Sequence, residues 1–165
     1  AYLSNLYEDY TLISKNVPIL SKQGVRNIKW QIDDSFLRFW FRFVYPYQGL
    51  IESNRTSLLL QYVSDKYMLF TGKTLEHFYH DVAMQNGRYT RIGNWWDKKG
   101  ENEIDMVALN EFERMGVIAE IKRNPKKLSL SVLETKAALL SSVLKGYKIE
   151  LRLLSLEDIC TIRTL

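Results

Sequence analysis

Cysteine is almost missing from this chain. Cys160 is the single one in 165 residues, which excludes an internal disulfide and any scaffold stapled by such bridges. A four-thiolate metal site is equally excluded, and two His leave little for a zinc centre. Cys160 reads as a small buried side chain. Proline and glycine are sparse, at three and eight, so loops are few and regular structure dominates. No apolar run reaches the roughly 18 residues of a membrane span. The N-terminus, AYLSNLYEDY, lacks the basic start and apolar stretch of a secretion signal. A reducing cytoplasm of bacterial or archaeal type is the expected setting, with no membrane partner. The chain starts with Ala and enters a helical pattern at once, which leads us to expect a piece of a longer protein.

What is present is a core-forming composition. Hydrophobic residues make up 46% and charged residues 25%, which excludes a disordered tail, a collagen-like fibre and a coiled coil. The net charge is +4, from 23 Lys and Arg against 19 Asp and Glu. That balance permits nucleic-acid binding without demonstrating it.

Leu3, Leu6, Tyr10 and Ile13 share one face of a helix over 2–13. Ile28, Trp30 and Ile32 alternate with Lys29 and Gln31, which predicts a strand, with Lys22-Gln23-Gly24 as the turn of a hairpin. Residues 34–45, DSFLRFWFRFVY, predict a helix capped by Asp34 or Ser35 and ended by Pro46. Asp34, Arg38 and Arg42 form its one polar stripe. The rest is apolar nearly all round, which predicts burial on several sides. A further helix follows within 51–70, and Thr71-Gly72 reads as a break.

Beyond the break the pattern changes. GKTLEHFYHDVAMQ has helical spacing. RYTRIGNWW, NEIDMVALN and GVIAEIKR read as strands. A helix is predicted from Leu128 to Leu144, and KIELRLLSL as a last strand. The order from 72 is α-β-β-β-α-β, an α+β layer with a mixed sheet.

Acids sit at the centres of two of these strands. Asp105 lies within EIDMVAL; Glu120 and Lys122 lie within VIAEIKR and point to one face. A buried charge costs several kcal/mol unless it is paired or holds a cation. Two carboxylates brought together at one sheet edge would call for a divalent cation, and an oxygen-rich shell suits Mg²⁺ or Mn²⁺. Lys122 would then orient or help deprotonate an attacking water and stabilise phosphate charge.

Asp105, then Glu120-Ile121-Lys122, preceded by a helix carrying Glu76, resembles the PD-(D/E)XK nuclease superfamily. Asn102-Glu103, not Pro-Asp, precede the first strand acid. The resemblance implies a PD-(D/E)XK nuclease-like α-β-β-β-α-β core. It implies metal ligation by Asp105 and Glu120, with Glu76 added, and assistance to the water by Lys122. It also implies that Lys136, on the following helix, faces the site and a phosphate. Lys98, Lys99, Arg123, Lys126 and Lys127 surround the site in sequence and are candidate contacts to DNA phosphates. His77 and His80 flank Glu76, His80 on its face, with a surface or packing role expected of them. Neighbouring Trp95 and Trp96 point to opposite strand faces.

IDDSFLRFWFRFVYP, GNWW, ENEIDMVAL and AEIKR, in that order, resemble the C-terminal region of archaeal and bacterial AAA-type ATPases. That resemblance implies part of a winged helix-turn-helix in 1–33, a helical connector in 34–70 and a nuclease-like domain in 71–165. It implies an N-terminal ATPase module in the parent protein as a partner. Gly72-Lys73-Thr74 lacks the upstream Gly of a phosphate loop, so no ATP is expected on this segment. The expected functions are metal-dependent phosphodiester hydrolysis or, alternatively, an inactive nuclease-fold module that binds DNA or protein.

Overall fold

The computed structural model describes residues 2–22, 24 and 27–160. The chain forms two compact units. The first comprises residues 1–16 and 28–71, the second residues 17–27 and 72–165.

In the first unit, α1 covers Tyr2–Glu8 only. The predicted helix over 2–13 is too long, because the backbone turns over after Asp9 and Thr11 takes a φ of 50°. Ile13 instead opens β1 (Ile13–Asn16), which pairs antiparallel with β2 (Lys29–Ile32). The two strands pair antiparallel, but the residues 17–27 between them belong to the second unit, so they are not the tight hairpin expected around Lys22-Gln23-Gly24. Gln23 of its expected turn lies outside the described residues.

α2 (Ser35–Phe39) starts where predicted: the Asp34 carboxylate accepts the Leu37 N–H at 2.7 Å. Pro46 does not end this helical run. It sits in the first turn of a 3-10 segment, Tyr45–Tyr47, where its missing N–H costs nothing. A π-helical turn, Trp40–Val44, precedes that segment, and α3 (Gln48–Glu52) follows it. The aromatic run is buried on one side only. Phe43 is fully buried among the rings of Phe39, Tyr62 and Phe70. Phe36, Phe41 and Tyr45 are exposed, contrary to the prediction of burial on several sides.

α4 (Thr56–Gln85) passes straight through Thr71-Gly72. The expected break is absent, since one Gly costs only about 1 kcal/mol in a helix of this length. The units divide there nonetheless.

In the second unit, α4 is followed by β3 (Arg91–Trp96), β4 (Glu103–Asn110), β5 (Met115–Lys122), α5 (Leu130–Ala138) and β6 (Lys148–Ser155). This is a mixed α+β arrangement. The sheet runs in the order β3-β4-β5-β6, with β6 parallel to β5 and the other pairs antiparallel. Leu75, Tyr79 and Ala83 of α4 pack with Met106, Val117, Ala119 and Ile121 on one face. Leu133, Leu140 and Leu144 pack with Ile104, Val107 and Ile118 on the other. The predicted helix to Leu144 is shorter than expected: α5 is capped at Leu139, and turns carry Leu140 and Leu144 into the core. The Tyr79 hydroxyl donates to the Ser155 carbonyl at 2.5 Å and ties α4 to the end of β6. Cys160 is exposed, not buried, because it falls in the 3-10 turn after β6.

Gly116 marks a tight approach between strands. A Cβ there would lie 2.7 Å from the Ala108 carbonyl oxygen and 2.6 Å from Leu109 Cδ2. Gly116→Ala is expected to lower unfolding free energy by about 2–3 kcal/mol through overpacking. An unchanged urea midpoint would contradict this close approach.

Candidate functional site

The site lies wholly within the second unit, where β4 and β5 part. Their ladder runs from Asn110–Met115 to Met106–Ala119 and ends there. Beyond it the Ile121 N–H is taken by a side chain: Asp105 Oδ2 accepts it at 2.8 Å. The same oxygen accepts from Lys122 Nζ at 2.7 Å. Lys122 Nζ also lies 3.0 Å from Glu120 Oε1. One ammonium thus bridges the two strand acids, as strand alternation predicted for Glu120 and Lys122.

Two helices add to this pair. Lys136 of α5 donates to Glu120 Oε2 at 2.8 Å, so it faces the site and not the solvent. Glu76 of α4 accepts from Lys73 Nζ at 2.7 Å. The carboxylates are buried: the side chains of Asp105, Glu120 and Glu76 are 7%, 10% and 12% exposed. Burial, and then the charge of Asp105, push the Glu76 carboxyl up to about 7, against the pull of Lys73. The Lys122 ammonium is held above its ordinary range: burial opposes this, but the hydrogen bonds and charges of Asp105 and Glu120 outweigh it.

The backbone at Asp105 is irregular. Gly93 pairs with Val107 and Trp95 with Ile104, so Asn94 alone faces both Asp105 and Met106. This is a β-bulge in β4, a feature that re-aims a side chain. It explains why Ile104 and Val107, three apart, share one core face. The carbonyl of Asp105 accepts from Asn94 Nδ2 at 2.7 Å and from His80 Nε2 at 2.8 Å. Burial holds the His80 imidazole below its usual range.

Of the basic residues named from sequence, Lys122 and Lys136 join the cluster, while Lys98, Lys99, Arg123 and Lys126 lie on the loops after β3 and β5. Lys98 and Lys99 occupy the exposed β3–β4 turn, which the Asp97 carboxylate organises by accepting three backbone N–H groups. Lys126 lies in an exposed 3-10 turn, Pro125–Lys127, and Arg123 follows β5 directly. Among the described residues the ammonium groups of Lys98, Lys99 and Lys126 make no ion pair with the three carboxylates. Trp96 is buried and Trp95 packs on the α5 face. Sequence reasoning missed Lys73, whose signal was its spacing of three residues from Glu76 on one helix. It also missed Asn94 and gave His80 a surface or packing role.

Carboxylate oxygens suit a hard divalent cation. Asp105 Oδ1 and Glu76 Oε1 accept no hydrogen bond among the described residues. The Lys122 ammonium marks the point between Asp105 and Glu120 where positive charge is favoured. Among the described residues no three His, Cys, Asp or Glu side chains stand close enough to share one ion. Asp105 and Glu120 share the Lys122 ammonium, whereas Glu76 pairs with Lys73.

Among the described residues no helix is long and apolar enough to cross a membrane. No solved structure matches the chain. It is similar to an uncharacterized protein of Methanocaldococcus jannaschii, 28% identical over 128 residues, which is 73% of this chain and 28% of the relative. The chain thus spans little more than a quarter of that relative's length. A family model described as archaeal and bacterial proteins of unknown function, DUF234, matches residues 40–135. That match takes in more than half of the chain, including Glu76, the strand acids and the bulge, and the chain belongs to this family.

Proposed function

We propose that the second unit is a PD-(D/E)XK nuclease-like domain that hydrolyses phosphodiester bonds with the help of a divalent cation. The observation that carries this reading is the meeting of Asp105 and Glu120 at the parting of β4 and β5, bridged by Lys122. Asp105 and Glu120 would hold Mg²⁺ or Mn²⁺, with Glu76 alongside. When bound, the ion would supply charge that polarises a phosphate and lowers the pKa of a water. Lys122, released from its bridge, would orient that water and stabilise the charge developing on phosphate. Lys136 would hold a neighbouring phosphate, and Lys98, Lys99, Arg123 and Lys126 the DNA backbone.

The same reading makes 1–33 part of a winged helix and 34–70 a connector, within the C-terminal region of an AAA-type ATPase. The length of the matched relative, of which this chain spans 28%, leaves room for such a module. ATP binding would lie in that module and not on this segment.

A second reading is favoured by one specific observation. Each of the three carboxylates already has a lysine ammonium within 2.7–3.0 Å. An ion-paired centre of this kind suits an inactive nuclease fold retained for binding DNA or protein. Incubation with plasmid and single-stranded DNA in Mg²⁺ or Mn²⁺ separates the two. Cleavage that Asp105→Ala and Lys122→Ala abolish supports hydrolysis. DNA left intact by the unaltered protein in either metal sinks it and leaves the binding module.

A further inference from the structure

The carbonyl of Asp105 is an unusual acceptor. The bulge removes it from the β3–β4 ladder, yet it takes two side-chain donors from two different elements, Asn94 of β3 and His80 of α4. A carbonyl only accepts, so His80 Nε2 must carry the proton at 2.8 Å. Both donors are partly buried and both bonds are short. Ile19 N–H donates to the Asn94 carbonyl at 2.8 Å, which fixes the Asn94 backbone from the outer side of this edge strand. Asn94 and His80 therefore grip the one peptide whose placement decides where the Asp105 carboxylate points. That carboxylate in turn caps the Ile121 N–H and meets Lys122.

We propose that Asn94 and His80 are positioning residues: through the Asp105 carbonyl they lock the β4 bulge and so aim the Asp105 carboxylate into the site. The inference deepens the hydrolytic reading and rests on it for the purpose of the aiming, while the lock itself is tested without it. The imidazole acts here by geometry and not by titration. Glutamine places an N–H close to where His80 Nε2 lies, so His80→Gln keeps the donor. His80→Leu and Asn94→Asp remove theirs.

Amide hydrogen exchange reads the lock directly, because the Ile121 N–H is bonded by Asp105 Oδ2. In His80→Leu and Asn94→Asp the Ile121 amide is expected to exchange roughly tenfold faster. The amides of Val117 and Ile118 on the same strand should keep their protection, and His80→Gln should behave as the unaltered chain. Unchanged Ile121 exchange, or equal acceleration along all of β5, overturns the lock. Titration with Mn²⁺ alone reads the aiming. Its affinity should fall about 10- to 100-fold in the two disruptive variants and recover in His80→Gln. Equal affinities in all variants overturn the aiming. Failure of the unaltered chain to bind Mn²⁺ overturns the metal-dependent reading and the aiming with it, while the exchange result still decides the lock.

Discussion

Glu76→Gln is expected to stabilise the second unit at pH 8 by about 3 kcal/mol and to leave it unchanged at pH 4. The carboxyl is raised from 4.5 to about 7 by burial and by Asp105. A raised carboxyl binds its proton more tightly folded than unfolded. Its contribution is therefore fully present below pH 4.5 and is lost as the pH climbs through about 7. Two to three pH units of differential binding correspond to about 3 kcal/mol at 1.36 kcal/mol per unit. Little of this is screened, since the side chain is 12% exposed. The substituted amide would keep an acceptor for Lys73 without the charge that faces Asp105. Urea unfolding at pH 4, 6 and 8, followed by tryptophan fluorescence, checks this. Parallel pH profiles for the two proteins would show that neither burial nor Asp105 raises the Glu76 carboxyl in the folded chain.

The second large effect belongs to Asp105. Its Oδ2 satisfies both the Ile121 N–H and Lys122. Asp105→Ala leaves a buried N–H without an acceptor and unpairs an ammonium, at a cost of about 2–4 kcal/mol. Asp105→Asn retains an oxygen for the Ile121 N–H and should fold with a smaller loss. On the hydrolytic reading both variants lose DNA cleavage by about three orders of magnitude. The Asn variant separates chemistry from folding. A stable Asp105→Asn protein that cleaves at the unaltered rate would remove Asp105 from the reaction.

These expectations depend on features of unequal legibility. The strands of the second unit were readable because each is bounded by polar or turn residues, and because Glu120 and Lys122 stand out in an apolar run. Alternation alone put that pair on one face. The bulge at Asp105 was not readable. Ile104, Met106, Val107, Ala108 and Leu109 are all fully buried, so the strand has no polar face whose phase could slip visibly. Without that phase the roles of Asn94 and His80 had no signal. The continuity of α4 was hidden for a different reason. Thr71-Gly72 is a local preference worth about 1 kcal/mol, and the packing of Leu75 and Tyr79 in the core outweighs it. The aromatic run of 36–45 misled in the other direction. Its composition required a buried environment, yet only the Phe43 side is buried among neighbouring rings, and Phe36, Phe41 and Tyr45 face outward. Lys136 was legible only in part: its spacing gave a helix, and the packing of α5 on the sheet decided that it reaches Glu120.

The central claim is that the gap between Asp105 and Glu120 is a cation position now filled by an ammonium. A crystal of the protein grown in Mn²⁺, with its anomalous difference map, tests this most directly. A peak is expected between the two carboxylates, with Lys122 Nζ displaced from its 2.7 and 3.0 Å contacts. Lys122 still bridging Asp105 and Glu120, with no anomalous peak beside them, would contradict it.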